Sequence, residues 1–163
     1  MNFDVNERPN VLPWPPMIYA TAVVVALALR YVKPIRLEPP SAVIWLGIGV
    51  ILAGVAVDFW AMATMRRAQT NLLPHRAADR LVDWGPFALS RNPIYAGNTA
   101  AILGVAVCLG DGWLLFATFA AAALTQKLAI RREEAHLSAR FGAAWDAYAA
   151  RTPRWLALGP LRI

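Results

Sequence analysis

Apolar residues in this chain fall into four long blocks separated by polar seams. The first runs from about Met17 to Val32, between the Pro15-Pro16 pair and Lys33-Pro34. The second, about Ala42–Met65, follows Pro39-Pro40 and stops at Arg66-Arg67. The third covers about Pro93–Leu109 and the fourth about Trp113–Ile130, with only Gly110-Asp111-Gly112 between them. Each block has roughly 16–24 residues, which at 1.5 Å per residue approaches the ~30 Å hydrocarbon thickness of a bilayer. Backbone groups in lipid must bond within their own segment, so the blocks predict four transmembrane helices, the last two a tight antiparallel hairpin.

After the fourth block the pattern changes. From Arg131 to Arg151 the chain is strongly charged, yet Leu137, Phe141, Trp145 and Tyr148 recur at helical spacing. That stripe predicts one amphipathic helix at the interface or beneath the bundle, with Glu133, His136, Arg140 and Ala147 on its other face. The expected fold is all-α: a single domain over residues 1–163, an integral membrane helical bundle with four transmembrane helices and a C-terminal amphipathic cytoplasmic helix. Gly49/Ala53 and Gly97/Ala101 have the small-xxx-small spacing of close helix contacts.

Composition agrees with the pattern. Hydrophobic residues make up 58% and charged residues 16% of the 163, against roughly 45–50% and about 25% in soluble domains. The net charge of +6 does not point to nucleic acid, because the basic residues flank apolar blocks and form no patch interleaved with aromatics. Their placement sets orientation instead. The loop from Arg66 to Asn92 holds Arg66, Arg67, Arg76, Arg80 and Arg91, and the tail holds seven basic residues, whereas the Asp111 turn holds none. The middle loop, the tail and the N-terminus are therefore expected on the cytoplasmic side. Arg30, Lys33 and Arg36 in the first loop run mildly against the rule and are expected to snorkel to the far headgroups. The acidic, proline-rich flank before the first block argues for an uncleaved anchor over a signal peptide. The lone Cys108 excludes an internal disulfide and is expected to pack.

Candidate chemistry is sparse. There is no Walker loop, zinc-ligand spacing, GxSxG elbow or soluble dinucleotide fingerprint, and no metal site is expected from two histidines. What remains lies at the ends of the helices. In "SRNPIY", Pro93 suits the first turn of the third helix, with Asn92 or Ser90 as its cap. Arg91 is not explained by helix initiation, since a cation there opposes the macrodipole; beside free N–H groups it makes an anion site, for a lipid phosphate or a cofactor carboxylate. Glu133-Glu134 is either a solvated pair balanced by Arg131 and Arg132 or the holder of a cationic ligand. Asp58, inside the second block, is costly there; its expected partners are Arg66, Arg67 or a cation of the tail.

Taken in order, "LVDWGPFALSRNPIYAG", the hairpin and "REEAHLSARFGAAWDAYAARTP" resemble the isoprenylcysteine carboxyl methyltransferase family, and more broadly the integral-membrane methyltransferases that include phospholipid N-methyltransferases. The resemblance covers about Gln69 to Trp155. It implies S-adenosylmethionine as methyl donor, a cytoplasmic cofactor pocket closed by the tail, and a lipophilic acceptor entering from the bilayer. It implies that Arg91, Asn92, Pro93 and Tyr95 line the cofactor site, that Glu133 and Glu134 contact the donor, and that His75, Leu81 and Val82 belong to a loop folded over it. It also implies that Arg151 faces an acceptor carboxylate. The eukaryotic members have histidine where this chain has Asn92, and more N-terminal spans, so the likeness is to a shorter prokaryotic branch. Carboxylate O-methylation is the expected activity, with phospholipid amine methylation, a sterol-reductase-like nicotinamide enzyme and a lipid-binding scaffold as alternatives.

Overall fold

A computed structural model describes residues 14–70 and 80–156. Four apolar helices run up and down: α1 (Trp14–Val32), α2 (Ser41–Arg67), α3 (Pro93–Leu109) and α4 (Gly112–Thr125). A one-turn 3₁₀ helix, Gly85–Ala88, precedes α3. A π-helical turn, Gln126–Ile130, joins α4 without a break to α5 (Arg131–Phe141), and α6 (Ala143–Arg151) follows. No strand forms among the described residues beyond one isolated bridge.

Residue size is sorted in the reverse of a soluble core. Trp45 and Phe116 are 72% and 70% exposed, while Ala26, Ala61, Ala106 and Ala121 are buried. Large apolar side chains facing outward and small ones facing inward are what a helix bundle in lipid requires, because hydrocarbon solvates the former and close backbone approach favours the latter. Three helical stretches, Pro15–Val32, Ser41–Arg67 and Gly112–Phe141, are long and apolar enough to cross a membrane; α3 is apolar but shorter, at 17 residues. An apolar furrow of about 420 Å³ opens between α1 and α4.

The tightest contact joins α2 to α3 through two glycine pairs. A methyl group on Gly54 would lie 2.5 Å from the Gly97 carbonyl, and one on Gly104 would lie 2.5 Å from the Gly47 carbonyl. The small-residue expectation therefore holds at Gly97 but not at Gly49/Ala53. Gly49 has open space around it, and Gly47 and Gly54, on the neighbouring face, make the contact. Cys108 packs beside Gly47.

The end of the bundle near Asp111 is stapled shut. Asp111 caps α4 by accepting from the backbone N–H groups of Trp113 and Leu114, and it pairs with Arg30 at 3.1 Å. The Leu37 N–H donates to the Gly110 carbonyl, the Gly112 N–H to Ile35, and the Trp113 indole to Lys33. Arg30 thus meets a carboxylate of the hairpin turn instead of snorkelling outward. That pairing satisfies Asp111 as well, which a headgroup contact would not.

The tail also departs from expectation. It is two helices, not one: Gly142, at φ +50, breaks it after Phe141. A left-handed φ is costly for residues with a Cβ, and glycine removes that cost. His136, expected on the polar face, is fully buried, because the π turn rotates α5 relative to α4.

Candidate functional site

The stretch before α3 holds the chain's own tail. Asn92 stands at the N-cap of α3, but its side chain makes no cap bond. Its Nδ2 donates instead to the Arg154 carbonyl at 3.0 Å, and the Ser90 hydroxyl donates to the same oxygen at 3.3 Å. Ser90 Oγ also accepts from the Asn92 N–H, and the Arg91 N–H donates to the Pro153 carbonyl at 2.9 Å. The capping expectation for Ser90 and Asn92 is thereby corrected. Both side chains are spent on a strap, residues 152–155, whose carbonyls would otherwise be buried without donors. Trp155 closes the far end of the strap, donating its indole N–H to Gln126 Oε1 at 2.6 Å.

Four charged groups converge beneath this strap. Glu134, only 12% exposed at its side chain, accepts from Arg91 Nη1 at 3.3 Å on one side. On the other side the Arg154 guanidinium grips it with Nε at 3.0 Å from both oxygens and Nη2 at 2.5 Å. That hydrogen bonding raises the Arg154 pKa above its ordinary value. Tyr95, one turn into α3, donates its hydroxyl to Glu133 Oε1 at 2.8 Å. The neighbouring Pro93 is buried at the first turn, where its missing N–H costs nothing. Two arginines and two glutamates so placed balance to zero, which makes their burial tolerable. One valence is left over: Arg91 Nε is buried and receives no partner among the described residues.

Aromatic groups wall the cluster. The Arg91 guanidinium lies 5.8 Å from the centroid of the Trp145 ring, within cation–π range. Trp145 packs edge-on to Tyr148, with ring centroids 5.6 Å apart, and the Tyr148 hydroxyl donates to the Phe87 carbonyl at 2.8 Å. Burial pushes the Tyr148 phenol well above its ordinary pKa, with Arg91 pulling weakly the other way. On the membrane side, the Tyr19 hydroxyl of α1 shares a 2.7 Å hydrogen bond with Thr99, whose own hydroxyl donates to the Tyr95 carbonyl.

The expected site residues divide into three groups. Arg91, Asn92, Pro93, Tyr95, Glu133 and Glu134 come together. Leu81 and Val82 lie on a segment tied to α6 one residue later, where Asp83 pairs with Arg151. The Arg151 side chain is 55% exposed and pairs with Asp83, and both lie within electrostatic reach of Tyr148, as Arg91 and Glu134 do. His75 lies outside the described residues. The sequence reading missed Arg154. It carried no signal beyond lying three residues past Arg151, and only the folded strap brings its fork onto Glu134. Asp58 makes no ion pair with Arg66, Arg67 or the tail among the described residues.

Comparison with known proteins bears on this arrangement. Over 110 residues, or 67% of its length, the chain is 31% identical to the nickel-cobalt-cadmium resistance protein NccN of Alcaligenes xylosoxydans xylosoxydans. It spans about half the length of that relative. Among the described residues no three His, Cys, Asp or Glu side chains gather as a metal site would need. Residues 42–144, well over half of the chain and including α2, α3, α4 and both glutamates of the cluster, match the phospholipid methyltransferase family. A helix bundle sorted for lipid carries this family match over its core: the chain belongs to the phospholipid methyltransferase family.

Proposed function

We propose that this protein transfers a methyl group from S-adenosylmethionine to a lipophilic acceptor in the membrane, with four spans and the Glu134 cluster at the cytoplasmic end. The single observation that supports this best is the convergence of Arg91, Arg154, Tyr95, Glu133 and Glu134 into one half-buried, charge-balanced cluster with the Arg91 Nε left open. S-adenosylmethionine presents a carboxylate, an ammonium and a sulfonium, and the donor set fits those groups. Arg91 Nε would take the carboxylate. Glu133 and Glu134 would take the cationic side, and Asn92 and Pro93 shape the wall through the helix start. Leu81, Val82 and His75 are proposed for the loop that covers the pocket.

When bound, the donor supplies an electrophilic methyl group that needs no metal and no covalent enzyme intermediate. The chain's own work is placement and exclusion of water. The 152–155 strap shields the glutamates, and Trp145 and Tyr148 pack beside Arg91. Holding two reactants aligned is worth up to roughly 7–11 kcal/mol of barrier.

For the acceptor, the resemblance at "SRNPIY" and "RTP" supports a carboxylate, with Arg151 as its orienting cation. The Arg151–Asp83 pair is exposed, and such pairs are worth only about 0–1 kcal/mol, so exchanging Asp83 for a substrate carboxylate costs little. Amine methylation is the second reading, supported by the family match.

Calorimetric titration of S-adenosylhomocysteine into the detergent-solubilised protein tests the donor assignment. Wild type should bind, and Arg91→Ala and Glu134→Gln should each lose roughly tenfold or more in affinity, as expected for a charge-assisted contact. Equal affinity in all three would sink the site. Binding of reduced nicotinamide cofactor in its place would select the reductase alternative.

A further inference from the structure

Two features at the Asp111 end of the bundle are used neither by the fold nor by the proposed donor site. The first is charge. Arg30, Lys33 and Arg36 lie there, against the pattern set by the other basic residues. Asp111 accounts for Arg30. Lys33 and Arg36 are exposed and join no ion pair among the described residues, although Glu38 stands exposed two positions beyond Arg36. Basic side chains held at a membrane surface without a protein partner attract anionic lipid heads.

The second feature is the furrow of about 420 Å³ between α1 and α4. Ala22, Ala26, Ala117 and Ala121 form its floor, and Phe116 and Leu124 stand exposed along it. On α4 it runs from Trp113 to Leu124, about 16 Å of helix. That is about half of a ~30 Å hydrocarbon slab, the depth of one leaflet. A helix from a second copy would need a groove across the whole slab, whereas the chain of a single lipid needs only this length.

The two features meet at one mouth. Leu29 lines the furrow there, and Lys33 follows it by one turn, with the Lys33 N–H donating to the Leu29 carbonyl at 2.8 Å. The Trp113 indole, in the furrow wall, donates to the Lys33 carbonyl at 2.6 Å. Arg36 is bridged to Asp111, with the Gly112 N–H tied to Ile35 beside it. Neither α1 nor α4 contains an acidic residue. A lipid lying along them therefore meets no carboxylate before Asp111, which Arg30 and two backbone amides already occupy. A zwitterionic head would bring a cation of its own to this basic mouth; a head with a phosphate and no ammonium would not.

We infer that Lys33, Arg36 and the α1–α4 furrow bind an anionic phospholipid of the leaflet at the Asp111 end, its phosphate on the two cations and one acyl chain in the furrow. The site is at the opposite end of the bundle from Glu133 and Glu134, so this lipid is a bound partner and not the methyl acceptor. Binding does not depend on the methyltransferase reading. Only the naming of that leaflet as the outer one follows from the orientation proposed above.

The test uses the full chain in phosphatidylcholine nanodiscs, with phosphatidylglycerol spin-labelled near the end of one chain as probe. Electron spin resonance reads the immobilised fraction. Wild type should immobilise the probe saturably and hold it more tightly than phosphatidylcholine carrying the same label. Lys33→Gln and Arg36→Gln should each weaken binding about fivefold, the equivalent of about 1 kcal/mol per basic side chain, and 1 M salt should weaken it in wild type. Ala120→Phe, which fills the furrow and touches neither cation, should abolish the immobilised signal. Phosphatidylglycerol with six-carbon chains should compete at least tenfold less well than the long-chain lipid; this arm tests the furrow even if Ala120→Phe fails to fold.

Equal affinity for the two labelled lipids overturns the site. So does wild-type affinity in both Lys33→Gln and Arg36→Gln, or displacement by inorganic phosphate as effective as by the lipid. A dimer on gel filtration that Ala120→Phe converts to monomer would give the furrow to a second copy, and overturns it too. Phosphatidylglycerol carries neither an amine nor a carboxylate, so the result is independent of what the chain methylates. Failure here leaves the donor reading intact, and a protein that holds this lipid but no S-adenosylhomocysteine would lose the donor reading alone.

Discussion

Arg154 and Glu134 meet as a fork on a carboxylate, with Nε 3.0 Å from both oxygens and Nη2 2.5 Å from one. A planar fork satisfies both lone-pair directions at once, which a point charge cannot do. Arg154→Ala is expected to release the strap and lower stability by about 1–3 kcal/mol, the range for a charge-assisted bond lost at a partly buried site. Arg154→Lys should recover only part of it. Limited proteolysis near residue 152, with thermal melting, reads both effects; full recovery by lysine would contradict the fork.

Tyr95→Phe removes the 2.8 Å donor to Glu133 while keeping the ring. The expected cost is about 1–2 kcal/mol of stability. If Glu133 helps hold the donor, affinity for S-adenosylhomocysteine should fall several-fold. Calorimetry on a folded Tyr95→Phe sample that shows unchanged affinity would remove Glu133 from the site.

Gly97→Ala asks α2 and α3 to separate, because its methyl would meet the Asp58 carboxylate and would lie 2.7 Å from the Gly54 carbonyl. Overpacking of this kind costs typically about 1–3 kcal/mol. Gly49→Ala, in open space, should be neutral or slightly stabilising by helix propensity. Thermal melts of the two variants side by side check the contrast.

Asp111→Ala strips α4 of its cap and Arg30 of its partner at the end away from the glutamates. Loss of an N-cap costs about 0.5–2 kcal/mol. S-adenosylhomocysteine affinity should not change. A parallel fall in affinity would mean that the two ends of the bundle are coupled.

Tyr148 sets an alkaline limit. Burial raises its phenol pKa in the folded state above the unfolded value of about 10. The stability it lends is therefore complete below about pH 10 and drains away as the pH rises from there towards the folded pKa. Wild type should lose melting temperature above about pH 10 more steeply than Tyr148→Phe. The variant starts lower, by about 1 kcal/mol, for lack of the bond to Phe87.

The four helices were legible because lipid imposes a simple rule, and runs such as Ala42–Met65 obey it at every position but Asp58. Arg91, Tyr95 and the two glutamates were legible as residues that helix formation left unexplained. The strap was not legible, since Ser90 and Asn92 look like ordinary caps until their carbonyl partner at Arg154 arrives from 62 to 64 positions along the chain. The buried face of α5 was also hidden. A period count assumes 3.6 residues per turn, and the Gln126–Ile130 turn does not keep to it.

That turn works as a phase shifter. One added residue in a helix rotates everything beyond it by about 100°, so Gln126–Ile130 decides which way Glu133, Glu134 and His136 point without changing the hydropathy of the segment. Deleting one residue there should leave insertion into the membrane intact and swing both glutamates away from Arg91 and Tyr95. The protein would still look like the same four-block chain, with its charged cluster out of gear.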